Sequence, residues 1–88
     1  MSELEERFQK AQEVAKAQTE RPDNDTLLNL YAFYKQATVG DVEGDRPGFL
    51  DFVGQAKYDA WERIAGMQAD EAREKYIETV MRFTGERI

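Results

Sequence analysis

Two phenols and one ammonium group stand close together in this sequence. Tyr31, Tyr34 and Lys35 occur at positions i, i+3 and i+4, a spacing that places them on adjacent turns of one helix flank. Aromatic rings stack on flat ring systems, and phenols and ammonium groups donate hydrogen bonds to phosphate. Together the three residues are suited to stack on a flat ring and to hold a phosphate. Taken without their sequence context, however, they favour the alternative that both tyrosines are core aromatics with solvent-exposed hydroxyls and that the lysine is a solvated charge.

The residue types that are missing exclude most catalytic and metal chemistry. The chain has 88 residues without a histidine or a cysteine, and its only serine is Ser2. Disulfides, thiolate or imidazole metal sites, cysteine nucleophiles and serine triads are therefore excluded. Acids, tyrosines and lysines remain, with no evident pairing among them. We expect a binding module that is not an enzyme and that needs neither a metal nor a cofactor.

The charge balance limits the partners of the chain. It has 12 lysines and arginines against 18 aspartates and glutamates, which gives a formal net charge of −6 and disfavours binding to nucleic acids or anionic membranes. No apolar run approaches the ~18 residues of a membrane span, and the charged N-terminus does not resemble a signal peptide. The absence of cysteine fits a reducing compartment. We expect a cytoplasmic monomer with no nucleic-acid partner and no stable membrane insertion.

Apolar residues recur at helical spacing along most of the chain, and no segment alternates as a half-buried strand does. The pattern predicts a single all-α domain over residues 1–88 that contains four helices. The predicted helices cover residues 2–17, 25–39 and 55–65, and the fourth follows an apolar stripe from Ala69 to Phe83. A domain of this size has a small core, so we expect its binding site in a surface groove.

The second predicted helix has more apolar surface than one packing partner requires. At about 100° per residue, its apolar side chains cover an arc of about 220°, whereas a core-facing stripe needs little more than about 100°. They are Leu27, Leu28, Leu30, Tyr31, Phe33, Tyr34 and Ala37. We interpret the flank that carries the two tyrosines as a binding surface.

A long loop separates the second and third predicted helices. Residues 40–51 contain three glycines and a proline, with no periodic apolar spacing before the last few residues, which is typical of a loop. Loops of this length are often functional or irregularly packed. Phe49, Leu50 and Phe52 indicate that the far end of the loop packs against the core, to which we also assign Trp61.

Longer motifs resemble a known family. They are YAFYKQATVGD at residues 31–41, RPG at 46–48, LDF at 50–52 and AKYDAW at 56–61. In these motifs and their spacing, the chain strongly resembles the acyl-CoA-binding protein family. The resemblance implies a four-helix bundle with a long overhand connection between helices 2 and 3. It also implies non-catalytic binding of medium- to long-chain fatty acyl-CoA thioesters, as an intracellular acyl-CoA carrier and pool buffer.

The resemblance assigns several residues to the CoA head group. By position in the motifs, Tyr31, Lys35 and Lys57 would hold the ribose 3′-phosphate. Tyr34 would contact the adenine, and Lys16 would line the nucleotide from the first helix. Each lysine has the alternative of a solvated charge, which is strongest for Lys16 because the first helix contains no motif.

The resemblance assigns other residues to the acyl chain. Leu27 and Leu28 match apolar positions that form the floor under the chain, and Tyr76 on the fourth helix would lie beside it. The alternative for Tyr76 is a purely structural role, because it belongs to the apolar stripe of that helix.

The sequence departs from the family pattern at two places. Many members have further lysines after the LDF motif, where this chain has Val53, Gly54 and Gln55. Fewer basic side chains are therefore available to bind the CoA head group. At the start of the fourth helix, Met67-Gln68 replaces the usual hydroxyl cap. An N–H group there lacks a side-chain acceptor unless Asp70 compensates from the first turn.

Two other functions are alternatives to acyl-CoA binding. The chain would be a helical protein-interaction adapter if the aromatic face of helix 2 docked a partner helix. An enzyme acting on acyl-CoA ranks third, because no histidine, cysteine or internal serine is present. Thermal stabilisation of the purified protein by long-chain acyl-CoA would discriminate among them, since a ligand at 100 times its Kd adds about 2.7 kcal/mol.

Overall fold

The computed structural model describes all 88 residues and contains four α-helices and no β-strand. In chain order the helices are α1 (Glu3–Lys16), α2 (Asn24–Thr38), α3 (Phe52–Glu62) and α4 (Ala69–Thr84). A long connection over residues 39–51 joins α2 to α3. The predicted all-α class, the four helices and the long connection are confirmed. None of the helices is both long enough and apolar enough to cross a membrane.

Side-chain caps set the start of three helices. Ser2, Asp23 and Asp51 each accept a hydrogen bond from a backbone N–H group of the following first turn, at 2.8 to 3.1 Å. Each bond satisfies an N–H group that has no partner within the helix. The hydrogen bonds from Thr26 also hold the pKa of Asp23 below its ordinary value, because they favour the charged carboxylate.

Both ends of α3 lie about one turn nearer the N-terminus than predicted. The helix begins at Phe52 because Asp51 accepts a hydrogen bond from the N–H of Gly54. Glycine suits residue 54 because a Cβ there would collide with the Asp51 carboxylate. The helix ends at Glu62, and the following turns reach Gly66, whose φ of 89° lies in the left-handed region that favours glycine.

The N-terminus of α4 lacks a side-chain cap, as the sequence indicated. Gln68 has the extended conformation of a cap residue, with φ −68° and ψ 147°, but its side chain accepts no capping hydrogen bond. The first N–H groups of α4 therefore depend on solvent and on the acidic residues of the first turn.

The Gln68→Ser variant is expected to stabilise the fold by about 0.5 to 1 kcal/mol, because a serine hydroxyl at this position accepts a backbone N–H. Urea unfolding followed by circular dichroism measures the difference. Gln9→Ser, in the interior of α1, is the matched control and is expected to give no gain, since serine is a weaker helix former than glutamine. Equal stabilisation by both changes would contradict the capping explanation.

The helices pack in the order α1, α4, α2 and α3, so α2 contacts both α3 and α4. The arrangement produces two apolar cores. The smaller core joins α2 to α3 through Ala32, Ala60 and Trp61, which confirms the core assignment of Trp61. The larger core joins α1, α2 and α4 and consists of Phe8, Ala11, Val14, Leu30, Ala37, Ala72, Tyr76, Ile77 and Val80.

Packing on two sides accounts for most of the wide apolar arc of α2. Of the residues of this arc, Leu30 and Ala37 belong to the larger core. Leu28 and Tyr31 pack against the smaller core. The inference that the arc exceeds what packing requires was therefore wrong for most of its width, because it assumed a single packing partner. The flank that keeps exposed ring surface carries Tyr34, which is exposed, and Tyr31, which is half-buried.

Side chains of α3 hold the long connection against the bundle. Trp61 Nε1 donates a hydrogen bond of 2.8 Å to the carbonyl oxygen of Gly40. Two parallel hydrogen bonds of 2.8 Å join the Arg46 guanidinium to the Asp59 carboxylate. This pair holds the pKa of Asp59 below its ordinary value, because Arg46 donates to the charged form. The start and middle of the connection are thus fixed relative to α3.

The end of the connection does not pack against the core. The prediction that it does was wrong. Phe49, Leu50 and Phe52 are all exposed. Trp61 and its neighbours already occupy the small core between α2 and α3. A turn in which the Asp51 N–H donates to the Gly48 carbonyl at 2.9 Å leads directly into α3, and it leaves the three side chains outside that core.

Candidate functional site

An apolar cavity of about 310 Å³ lies between α2 and α3. α2 contributes Leu27 and Leu28, the two residues predicted to form the floor of an acyl-chain groove. α3 contributes Val53 and Lys57, so an ammonium-bearing side chain borders an otherwise mainly apolar wall. The complete lining is Arg21, Asn24, Leu27, Leu28, Phe52, Val53, Ala56 and Lys57.

Lys57 and Tyr31 meet across the contact between α3 and α2. The Nζ of Lys57 lies 5.2 Å from the centroid of the Tyr31 ring, within the range of a cation–π interaction. The structure therefore brings together a phenol and an ammonium group that are far apart in the sequence. Both were predicted to contact the same phosphate.

Lys35 lies one turn beyond Tyr31 on α2 and also rests on an aromatic ring. Its Nζ is 5.1 Å from the centroid of the Trp61 ring. Neither Lys35 nor Lys57 forms an ion pair, since the ion pairs of the structure are Arg46–Asp59 and the Arg73–Asp70 pair of α4. In an acidic chain, these two cations thus remain available to an anionic ligand.

Tyr34 and Tyr76 belong to a separate aromatic cluster with Phe8. The Tyr34 and Tyr76 ring centroids are 6.4 Å apart, and each ring also contacts Phe8 from α1. Tyr76 is buried within the larger core, which agrees with the alternative that its role is purely structural. Tyr34, in contrast, is 40% exposed. Burial, and then the neighbouring Tyr34, raise the pKa of Tyr76 above its ordinary value. Of this pair, Tyr34 presents more ring surface to a ligand.

Lys16 stands apart from the other predicted residues. It lies in the last turn of α1, beside a shallow polar depression lined by Gln9, Gln12 and Glu13. It makes no hydrogen bond, ion pair or cation–π contact with any of the other predicted ligand residues.

Sequence reasoning missed four residues that line the cavity. Phe52 and Ala56 lie one turn apart on α3, a spacing that would have placed them on one face had the start of the helix been predicted correctly. Arg21 and Asn24 lie before and at the start of α2. Arg21 precedes that helix in the connection from α1, where helical periodicity gives no signal.

Comparison with known families identifies the chain. The family model described as "Acyl CoA binding protein" matches residues 5–80. The chain belongs to this family. An acyl-CoA-binding protein homolog from Drosophila melanogaster is 44% identical over 72 residues, which cover 82% of this chain and 84% of the relative. An acyl-CoA-binding protein from Brassica napus is 46% identical over 77 residues, which cover 88% of this chain and 84% of the relative.

Solved structures of acyl-CoA-binding proteins share the fold. The crystal structure of Oryza sativa acyl-CoA-binding protein 2 superposes with a TM-score of 0.85 at 39% identity, covering 90% of this chain and 86% of that one. The crystal structure of ACBP from Moniliophthora perniciosa gives 0.84 at 36% identity, covering 99% and 87%. The four-helix arrangement is therefore that of the acyl-CoA-binding protein family.

In this member of the acyl-CoA-binding protein family, the motif at residues 31–41, which we call the signature motif, divides into two parts. Tyr31 and Lys35 lie at the contact with α3, as described above. Gln36 and Asp41 instead tie the end of α2 to the turn before α4. Gln36 Nε2 donates to Asp41 Oδ1 at 2.8 Å, and the N–H of Gly66 donates to the same oxygen at 2.7 Å. These bonds, the one from Gly66 first, hold the pKa of Asp41 below its ordinary value.

Proposed function

We propose that this protein binds medium- to long-chain fatty acyl-CoA thioesters as a single domain and releases them unchanged. The observation that carries the proposal is the position of Lys57. Its side chain borders the apolar cavity between α2 and α3, lies over the Tyr31 ring and forms no ion pair. A ligand with an apolar chain at one end and a phosphate at the other matches this combination.

The head group is held by Tyr31, Lys35 and Lys57 through the ribose 3′-phosphate. Such a phosphate has about −1.5 to −2 charges near neutral pH, and each charge-assisted hydrogen bond to it is worth roughly 1.5 to 3 kcal/mol. The net charge of −6 does not cancel this attraction, because salt screens charges beyond about 8 Å. The exposed part of the Tyr34 ring stacks on the adenine, and Lys16 lines the nucleotide from α1.

The acyl chain lies over Leu27 and Leu28 and extends toward Tyr76. A volume of about 310 Å³ is at the lower end of the range for small-molecule sites, so the cavity encloses only part of a long ligand. Each buried methylene contributes about 0.8 kcal/mol before ordering costs. Affinity therefore increases with chain length until the cavity is full and then reaches a plateau.

The protein acts as a carrier and buffer of the acyl-CoA pool, as a monomer in the cytoplasm and without a nucleic-acid partner. The lack of histidine, cysteine and an internal serine supports a role without catalysis. The protein-interaction adapter is not favoured. Much of the apolar face of α2 is covered by α3 and α4, which leaves too little surface for a partner helix.

Titration calorimetry with palmitoyl-CoA and with palmitate tests the proposal. We expect one-to-one binding of palmitoyl-CoA and much weaker binding of palmitate, because palmitate lacks the nucleotide. Equal affinity for the two ligands would overturn the head-group assignment. No binding of palmitoyl-CoA to folded protein would overturn the function itself.

The Val53→Lys variant is expected to bind palmitoyl-CoA more tightly. Val53 lines the cavity beside Lys57 and is exposed, so a lysine would lay its apolar stem along the wall and offer its ammonium to the phosphates. We expect a gain on the order of 0.5 to 1 kcal/mol, because the contact is solvent-exposed, and a smaller gain at higher salt. Calorimetry at two salt concentrations measures both effects.

A matched control for the added charge is Val39→Lys, at the C-terminal end of α2 and outside the cavity. It changes the net charge equally and is expected to leave affinity unchanged. Unchanged or weaker binding by Val53→Lys at both salt concentrations would show that residue 53 does not face the ligand.

A further inference from the structure

Two polar side chains of the apolar cavity between α2 and α3 have no part in the head-group contacts proposed above. They are Arg21 and Asn24, which line the cavity together with Leu27 and Leu28. Ligand cavities that are mainly apolar contain few polar groups, and those groups fix the orientation and the chemical class of the ligand. A guanidinium group beside an apolar wall therefore bears on which acyl chains the cavity accepts.

Contacts between α2 and α3 establish how the cavity is oriented. The Lys57 ammonium lies over the Tyr31 ring. One turn further along each helix, the Lys35 ammonium of α2 lies over the Trp61 ring of α3. The two helices therefore run side by side in the same direction, and both begin at the same end of the cavity.

The two ends of the cavity differ in their chemistry. α2 begins at Asn24, and Arg21 lies just before it, so both side chains belong to the end at which the helices start. Lys57 belongs to the opposite end, where it meets Tyr31. The apolar floor formed by the two leucines lies between these ends, so a cation is present on either side of it.

The proposed position of the acyl chain brings its far end to Arg21. The head group lies at the Tyr31 end of the cavity. Tyr76, toward which the chain extends, lies near Tyr34, which is one turn beyond Tyr31 in the same direction along α2. The thioester end of the chain is thus on that side of the leucine floor. The other end of the chain lies across the floor, where Arg21 and Asn24 stand.

The Arg21 guanidinium is available to a ligand. Its side chain is exposed and takes part in neither of the two ion pairs of the structure. The nearby acidic residue Asp23 accepts a hydrogen bond from the N–H of Thr26 instead. An arginine can lay its aliphatic stem along apolar surface and donate two parallel hydrogen bonds to one carboxylate. Arg21 thus has the chemistry to bind a carboxylate at the end of an apolar chain.

We infer that the cavity accepts acyl-CoA thioesters whose chain ends in a second carboxylate, and that Arg21 binds this terminal carboxylate. The amide of Asn24 offers further N–H donors to the same group. The inference rests on the proposed function and adds CoA monothioesters of dicarboxylic acids to its ligand class. Without a partner, a carboxylate against an apolar wall is strongly disfavoured.

Titration calorimetry with matched pairs of ligands tests the inference. Dodecanoyl-CoA and dodecanedioyl-CoA share the head group and differ only at the far end of the chain. The ratio of their affinities, which we call the carboxylate penalty, therefore reports that end alone. Corresponding pairs from octanoyl to hexadecanoyl length vary the position of the terminal carboxylate.

We expect the carboxylate penalty of the wild type to depend on chain length. It should be large for the shortest chains, whose carboxylate falls on the leucine floor, and should drop below about tenfold at the length that reaches Arg21. A penalty above about tenfold at every length would overturn the inference, because the terminal carboxylate would then have no partner in the cavity.

The Arg21→Gln variant separates pairing with Arg21 from simple exposure of the chain end to water. At the length of best fit, we expect this change to raise the carboxylate penalty about three- to tenfold, with a smaller rise at higher salt. Affinity for the unsubstituted acyl-CoA should stay unchanged. Arg63→Gln is the matched control, because it removes the same charge at the other end of α3 and outside the cavity lining. It should leave the penalty unchanged.

Two further outcomes would overturn the inference. An equal penalty in the wild type and in Arg21→Gln would show that the terminal carboxylate lies in water. An equal rise in both variants would show a general effect of net charge. Failure of the proposed function gives a different result, since neither member of any ligand pair would then bind. The two failures are therefore distinguishable.

Discussion

Replacement of Lys57 with alanine is expected to weaken palmitoyl-CoA binding 10- to 100-fold while the helical fold persists. A charge-assisted hydrogen bond is worth roughly 1.5 to 3 kcal/mol, and each 1.4 kcal/mol corresponds to about a factor of ten. Within the protein, Lys57 forms no ion pair and its ammonium rests on the Tyr31 ring. Its removal therefore costs the fold little. Lys35→Ala is expected to have an effect of the same size, and titration calorimetry measures both.

A ligand without the 3′-phosphate identifies the group that the lysines contact. Wild-type protein should bind 3′-dephospho-palmitoyl-CoA roughly 10- to 100-fold more weakly than it binds palmitoyl-CoA. The Lys57→Ala variant should bind the dephosphorylated ligand with nearly the same affinity as the wild type does. Additive losses from the two changes would show that Lys57 does not meet that phosphate. Lys10→Ala, which removes an exposed lysine of α1, is the matched control and should bind both ligands as the wild type does.

The helices could be predicted from the sequence because their apolar spacing is regular. The bounds of α3 were less accurate, because its start depends on a cap at Asp51 that was not recognised. The exposure of Phe49 and Leu50 was missed for a different reason. Apolar residue type indicates a tendency to be buried, but whether the core has space for them depends on how α2 and α3 pack.

The site was predictable only in part from the residues themselves. Helical spacing alone placed Tyr31 and Lys35 together on α2, whereas the family resemblance was needed to add Lys57, which lies on another helix. Periodicity carries no information about which faces of two helices meet. For the same reason Arg21, which lies outside any helix, entered the cavity lining only when the structure was known.

Gln36 belongs to the signature motif, but its contacts in the structure are those of a residue that stabilises the fold. Its side chain is only 2% exposed. The amide nitrogen donates to Asp41 Oδ1 at 2.8 Å and to the carbonyl oxygen of Met67 at 2.9 Å. Its Oε1 is buried without a partner. One side chain thus joins the end of α2 to the turn that precedes α4.

Gln36→Met is expected to lower the free energy of unfolding by about 2 to 3 kcal/mol, because it keeps the side-chain volume and removes both hydrogen bonds, which leaves the Met67 carbonyl without this donor. Urea unfolding measures the loss. At a temperature where the variant is folded, its palmitoyl-CoA affinity should remain within about twofold of wild type, in contrast to Lys57→Ala. Unchanged stability would refute the structural role of Gln36. A loss of affinity as large as that of Lys57→Ala would place Gln36 at the ligand instead, and the division of the signature motif into binding and structural parts would be wrong.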